Sequence, residues 1–227
     1  MVEKDEKKIA IAIIGGTGAL GSALAMRWLL AGYKIIIGSR NQEKADDLAS
    51  KLANQLNRHE ITVETNAKAS AIADIVVLAV PYSAHSDTLK DIATSVQGKI
   101  VIETTVPLRP PKVARVSLPK RGCVAAVTQE FLGDHADVVS TLHTVSATHL
   151  GDFEHELFGD VLVYGNKKSS RQIAINLIED IGLKGWHGGS IENSAASEAM
   201  TSVMIFVNKY YSLKGAGIQV ISEGQKD

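Results

Sequence analysis

An apolar run at residues 9–14 passes directly into Gly15-Gly16-Thr17-Gly18-Ala19-Leu20-Gly21, and apolar residues at helical spacing follow over 22–30. A short, continuous apolar run is what a parallel strand covered on both faces needs. Gly32 ends the helical pattern, as glycine commonly does at a helix C-terminus. Strand, glycine-rich turn and helix in direct succession leave few folds open. They predict the start of a βαβ unit within an open sheet that carries helices on both faces.

The rest of the first half keeps this rhythm. Strand-like runs at 34–37, 61–64, 74–80, 99–106 and 138–144 are interleaved with helical patterns at 43–56, 83–96 and 124–132, and a proline-rich loop occupies 107–119. The expected fold class is α/β, with a Rossmann-type doubly wound, mostly parallel sheet over residues 1–145. After Val145 the pattern loosens into short strands at 161–164 and 183–187, a helix at 169–181 closed by Gly182, and a long, largely apolar helix at 193–213. That is too little chain for a second dinucleotide fold. Residues 146–227 are therefore expected to form a small α+β cap packed on the first domain.

The turn itself carries chemistry. Gly16, Gly18 and Gly21 form G-x-G-x-x-G, placed after a strand and before a helix, the context that gives this motif its meaning. On this reading Gly16 permits the tight turn, Gly18 lets backbone amides approach a pyrophosphate, and Gly21 allows close helix–strand packing. The helix N-terminus at Ala19 and Leu20 adds partial positive charge for the phosphates. The end of the second strand selects the dinucleotide. An NAD site usually places Asp or Glu there to accept from the ribose 2′-hydroxyl. This chain has Gly38-Ser39-Arg40-Asn41, with Lys44 one helical turn on. A hydroxyl, a guanidinium and an ammonium suit a 2′-phosphate, so the expected ligand is NADP(H). Val80 and Pro81 close the fourth strand at the carboxyl edge, where they would flank the ribose or nicotinamide. Tyr82 and His85 follow, either facing that crevice or lying on the surface of a helix start.

Bulk properties narrow the setting. A formal net charge of -1 gives no electrostatic reason to expect a nucleic-acid partner. Cys123 is the only cysteine, which excludes an intramolecular disulfide and fits a reducing, cytoplasmic compartment. The charged segment 1–8 lacks the apolar core of a signal peptide. No apolar run reaches the roughly 18 residues that a membrane-spanning helix needs. A soluble cytoplasmic protein without membrane contact is expected.

A proton donor is harder to find. Tyr-x-x-x-Lys, the pair with which short-chain dehydrogenases protonate a carbonyl oxygen, occurs as Tyr164/Lys168 and Tyr210/Lys214. The first runs through a Gly165-Asn166 turn, and the second lies too near the C-terminus to be enclosed by a pocket. No metal-ligand spacing and no serine nucleophile elbow is present. What remains is Thr141 to Ala147, polar residues leaving a strand end towards the crevice. Its His143 reads either as a structural group or as one that faces a ligand. Gly188-Gly189-Ser190 and Gly215-Ala216-Gly217-Ile218 would let backbone approach a flat ring.

These blocks together resemble a known family. Gly15 to Gly21, Gly38-Ser39-Arg40 with Glu43-Lys44-Ala45, Leu142-His143-Thr144, Asn193-Ser194 and Gly217-Ile218 are similar to the NADPH-dependent coenzyme F420 reductases, over nearly the whole chain. The chain departs from the family pattern at Ala195, where the family has arginine, and at Ala199, where it has serine. The resemblance implies an oxidoreductase passing hydride directly between NADP(H) and the deazaflavin coenzyme F420. It implies that Thr17, Ser39, Arg40 and Lys44 hold the NADP adenosine and phosphates, with Val80 and Pro81 near the nicotinamide. His143, Val145, Ala147, Thr201, Gly217 and Ile218 would line the deazaflavin, and His143 is the one candidate for a catalytic role. Direct hydride transfer accounts for the missing acid, since the protein mainly positions two rings. A homodimer is also implied, in keeping with the apolar last helix. Two alternatives share the front half: an NADPH-dependent reductase of a flavin or of a small imine or carbonyl, and a non-catalytic NADP(H) sensor.

Overall fold

The computed structural model describes residues 9–154 and 156–223, so the charged segment 1–8 read above lies outside it. β1 (Ala10–Ile14) is buried from Ile11 onward and leads through the glycine turn into α1 (Ala19–Leu30). β2 (Lys34–Gly38), α2 (Gln42–Leu56) and β3 (Ile61–Glu64) follow. The Asn41 side chain caps α2 by accepting from the Lys44 amide at 2.9 Å. α3 (Asn66–Ile72) is a helix that the sequence reading did not foresee. Its seven residues are mostly alanine and polar, too short and too weakly periodic to signal themselves.

β4 (Ile75–Leu78), α4 (Tyr82–Ile92), β5 (Ile100–Glu103), α5 (Val124–Leu132) and β6 (Asp137–Ser140) complete the first half. The three strands are shorter than the apolar runs at 74–80, 99–106 and 138–144, because those runs leave the ladder at the carboxyl edge. Then come α6 (Ala147–Leu150), β7 (Asp160–Tyr164), α7 (Lys168–Glu179), β8 (Lys184–Gly189) and α8 (Ser194–Tyr211).

Among the described residues, eight strands form one sheet, ordered β3-β2-β1-β4-β5-β6-β7-β8. Neighbours are parallel except β6 and β7, which are antiparallel with Ser140 opposite Tyr164. Register places Ile14 opposite both Gly38 and Leu78, Leu78 opposite Glu103, and Glu103 opposite Ser140. The glycine turn, Ser39, Ala79, Thr104 and Thr141 therefore leave the sheet at one level. The chain order reverses between β1 and β4, and ligands of open α/β sheets bind outside the carboxyl ends at such a point.

Both faces are covered. Leu24, Trp28, Leu29, Leu177 and Ile178 pack with Ile11, Ile13, Ile35, Val77, Val161 and Val163 on one side. Ala69, Leu89, Ile92, Ala125 and Leu132 pack with Ile14, Val76, Leu78, Val101 and Val138 on the other. The first cluster draws from both halves of the chain. Trp28, fully buried, donates from Nε1 to the Leu177 carbonyl at 2.8 Å and so ties α1 to α7. Among the described residues, no helix is long and apolar enough to cross a membrane.

Candidate functional site

The reversal point opens into a cleft of about 420 Å³. Thr17 and Gly18 contribute from the glycine turn, Ser39, Arg40 and Lys44 from the β2 side, and Val80 and Pro81 from the β4 side. None of the described residues lining it is acidic. Glu43, one residue from Lys44, is not among them.

The turn differs in one respect from its sequence reading. The residue that must be glycine for conformation is Gly15, at φ +83°, and not Gly16; a Cβ on Gly15 would also sit 2.6 Å from the Ala79 carbonyl oxygen. Gly16 is needed for packing instead, because a Cβ there would lie 2.9 Å from the Ile37 side chain. Gly21 brings α1 against the turn, with a virtual Cβ 2.6 Å from the Gly15 carbonyl oxygen. No side chain caps α1, so the amides of Ala19, Leu20 and Gly21 have neither an intrahelical acceptor nor a capping one. They form the anion-seeking end of the helix.

At the β2 end, Ser39 is nearly buried while Arg40 and Lys44 are exposed. The Ser39 hydroxyl accepts from the Asn41 amide at 3.1 Å and donates to the Asn41 carbonyl at 3.0 Å. This tight turn fixes where the next residue, Arg40, leaves the strand. Asn41, Asn66 and Thr88 also line the cleft and were not foreseen. Asn66 opens the unforeseen helix α3, so no sequence signal pointed to it.

His143 lies in a separate polar cluster. Leu142, buried at φ +65°, turns the chain back after β6, a left-handed conformation that is uncommon for leucine. His143 Nε2 then lies 3.1 Å from Ser140 Oγ, which is 2.6 Å from Ser194 Oγ, which is 3.0 Å from Glu198 Oε1. Glu198 Oε2 accepts from the Val124 amide at 2.7 Å, and Oε1 from the Ala125 amide at 3.3 Å, at the open end of α5. Each hydroxyl has one proton to give. With Glu198 ionised, Ser194 must donate to it, Ser140 to Ser194, and His143 Nε2–H to Ser140. The imidazole lone pair is then on Nδ1, a buried atom with no hydrogen-bond partner.

Burial holds the His143 pKa down to about 4, with Glu103 opposing weakly, so the ring is neutral. Burial pushes Glu198 up to about 7 against the two amides and Ser194, which favour its charge. When Glu198 takes a proton, the chain of donors can reverse and move the imidazole proton to Nδ1.

The remaining residues fall as follows. Thr201 Oγ1 donates to the His143 carbonyl at 3.0 Å, so these two are brought together. Val145, Gly217 and Ile218 share a second hollow of only about 20 Å³, too narrow here for a three-ring ligand. Ala147 opens α6 behind the Ser146 cap.

His85 belongs to the core, not to the crevice or the surface. Its Nε2 lies 2.8 Å from Glu103 Oε2, and Thr128 Oγ1 donates to the same oxygen at 2.6 Å. Burial disfavours both charges, yet each partner sustains the other: the His85 pKa is raised and that of Glu103 lowered. Tyr164 is buried with its hydroxyl 2.7 Å from Ser197 Oγ, and Lys214 lies past the end of α8, so neither Tyr-x-x-x-Lys forms a helical pair.

A doubly wound sheet, a glycine turn at its reversal point and a cationic, acid-free cleft define a dinucleotide-binding α/β protein of the NADP type. Comparison with known proteins narrows this. Residues 10–107 match the family described as NADP oxidoreductase coenzyme F420-dependent. The chain is 36% identical to the F420-dependent NADP reductase of Methanocaldococcus jannaschii, covering 92% of this chain and 97% of that protein. It is 35% identical to the enzyme of the same name from Methanothermobacter thermautotrophicus, covering 92% and 94%. The protein belongs to the F420-dependent NADP reductase family. The fold is shared with a crystallised candidate F420-dependent NADP reductase from Arthrobacter sp. FB24, with TM-score 0.77 and 22% identity over 93% of this chain and 99% of that one. An imine reductase of Streptomyces aurantiacus shares it at TM-score 0.61 and 18% identity, over 88% and 62%.

Proposed function

We propose that this protein transfers a hydride between NADP(H) and the deazaflavin coenzyme F420. The observation that carries the reading is the cleft at the reversal point, cationic at Arg40 and Lys44 and without a carboxylate, in a chain of this family. When bound, the two coenzymes supply the chemistry, with hydride moving between nicotinamide C4 and deazaflavin C5. The protein binds, orients and excludes water. Arg40 and Lys44 hold the 2′-phosphate, joined by the Ser39 hydroxyl when it turns from the Asn41 carbonyl, while Thr17, Gly18 and the amides of Ala19, Leu20 and Gly21 receive the pyrophosphate. Val80 and Pro81 set the nicotinamide end.

Residues 146–227 complete the second ring's site. His143 Nδ1 is buried and carries a free lone pair, so it receives an N–H donor on the ring edge only when the groups covering it give way, with Thr201 fixing the backbone of His143. Val145, Ala147, Gly217 and Ile218 take part once the narrow hollow between α6 and the C-terminal segment widens. A second copy of the chain covers the exposed apolar side chains Val203, Phe206 and Tyr210 of α8, giving a homodimer. The protein works in the cytoplasm, in keeping with one buried, unpaired cysteine.

The test is to mix the protein with NADPH and F420 and follow the deazaflavin absorbance. Bleaching is expected. Bleaching of FMN or FAD but not F420 overturns the choice of partner, and tight NADPH binding with no turnover of either leaves only a sensor.

A further inference from the structure

The loop after β5 carries a charge pattern that the nucleotide cleft does not use. No acidic residue occurs between Glu103 and Glu130, while Arg109, Lys112, Arg115, Lys120 and Arg121 all do. Arg121 is paired with Glu130 at 3.0 Å. Among the described residues, Arg109, Lys112 and Arg115 have no carboxylate partner. They are exposed and line one hollow of about 390 Å³ together with Pro110, Pro111 and Ser117. Two successive turns, Lys112 N–H to the Arg109 carbonyl at 3.0 Å and Arg115 N–H to the Lys112 carbonyl at 3.2 Å, hold the three at a spacing of three residues.

The hollow sits beside the crevice. The Arg109 guanidinium is 6.0 Å from the centre of the Tyr82 ring, and Tyr82 directly follows Pro81, a wall of the cleft. Like charges gathered around one concavity raise the local potential and favour an anion there, although water and salt screen part of the effect at exposed groups. On the reading above, Arg40 and Lys44 answer the dinucleotide's 2′-phosphate on the β2 side and the glycine turn answers its pyrophosphate, which leaves the separate hollow at Arg109 for an anionic part of the other coenzyme.

We propose that Arg109, Lys112 and Arg115 form a binding site for the anionic side chain of the deazaflavin, its phosphodiester and carboxylates, and so set the affinity for that coenzyme. This rests on the hydride-transfer reading above and deepens it. Guanidinium groups take phosphate and carboxylate oxygens two at a time, while the lysine adds a point charge. Proline neighbours restrict the loop and lower the entropy lost on binding.

The experiment compares two probes: complete F420, and the same deazaflavin chromophore ending at its sugar alcohol, without phosphate or glutamate. Both are assayed with NADPH on the wild type and on an Arg109→Ala/Lys112→Ala/Arg115→Ala variant. The wild type is expected to show a KM for complete F420 about 10- to 100-fold below that for the shortened probe, the product of several exposed ionic contacts. That advantage shrinks with added salt. The variant is expected to raise the KM for complete F420 by the same factor, leaving the shortened probe, kcat and the KM for NADPH unchanged. Equal KM values for the two probes on the wild type overturn the proposal. So does a variant whose KM rises for NADPH instead, which assigns the loop to the dinucleotide. Turnover of neither probe by the wild type refutes the hydride-transfer reading itself, a different outcome from either.

Discussion

Replacing Glu198 by glutamine tests the buried polar cluster where its energetics are largest. Burial lifts this carboxyl from 4.5 to about 7, while in the unfolded chain it titrates normally. Between these values the folded protein binds close to one proton more than the unfolded chain. The group's stabilisation is therefore complete below about 4.5 and is lost as pH rises through about 7. At about 1.4 kcal/mol for each tenfold change in proton affinity, the loss is about 3 kcal/mol. Glutamine mimics the neutral acid, can accept one of the α5 amides and does not titrate.

Thermal unfolding of wild type and Glu198→Gln should be followed from pH 4.5 to 8. A domain of this size shifts Tm by about 2–4 °C per kcal/mol, so Tm of the variant relative to wild type should rise by about 6–12 °C across the range. A difference that stays constant with pH would refute the argument. It would mean that the Val124 and Ala125 amides, with Ser194, outweigh burial and keep the carboxylate charged throughout.

The same cluster makes a spectroscopic prediction: nitrogen NMR of His143 should show Nε2 protonated above pH 7, with proton density moving to Nδ1 as Glu198 is neutralised. Arg40→Ala should raise the KM for NADPH by about 10- to 100-fold, the value of a charge-assisted bond to phosphate, and leave the KM for NADH nearly unchanged. Steady-state kinetics with both nucleotides checks this. Gly21→Ala places a Cβ 2.6 Å from the Gly15 carbonyl oxygen, so α1 must retreat from the turn. A loss of about 1–3 kcal/mol in denaturant unfolding is expected, with weaker NADPH binding by titration.

What could be read from sequence was what neighbouring residues express together. The run into Gly15–Gly21 and the Ser39-Arg40 pair declare themselves because strand, turn and ligand-facing groups are contiguous. The Glu103–His85 pair was invisible for the opposite reason: its members lie on β5 and α4 and acquire meaning only when the sheet is assembled. His143 was legible as a residue of interest, yet its tautomer depends on Ser140, Ser194 and Glu198, three common polar residues with no motif of their own. The antiparallel joint between β6 and β7 was equally silent, since apolar alternation says that a strand exists but not which edge it joins.

That joint bears on how far the protein can be treated as modular. Asp137 at the start of β6 accepts from Ser170 Oγ at 2.9 Å and pairs with Lys167 at 2.7 Å, and Thr141 Oγ1 donates to the Leu162 carbonyl at 3.1 Å. Cutting the chain after Val145 would leave β6 as a bare edge and uncover Trp28, whose indole bonds the Leu177 carbonyl of α7. Such a fragment would offer both a strand template and an apolar patch for self-association. Anyone grafting this nucleotide-binding front half onto another scaffold should carry β7 and α7 with it, or redesign the seam they protect.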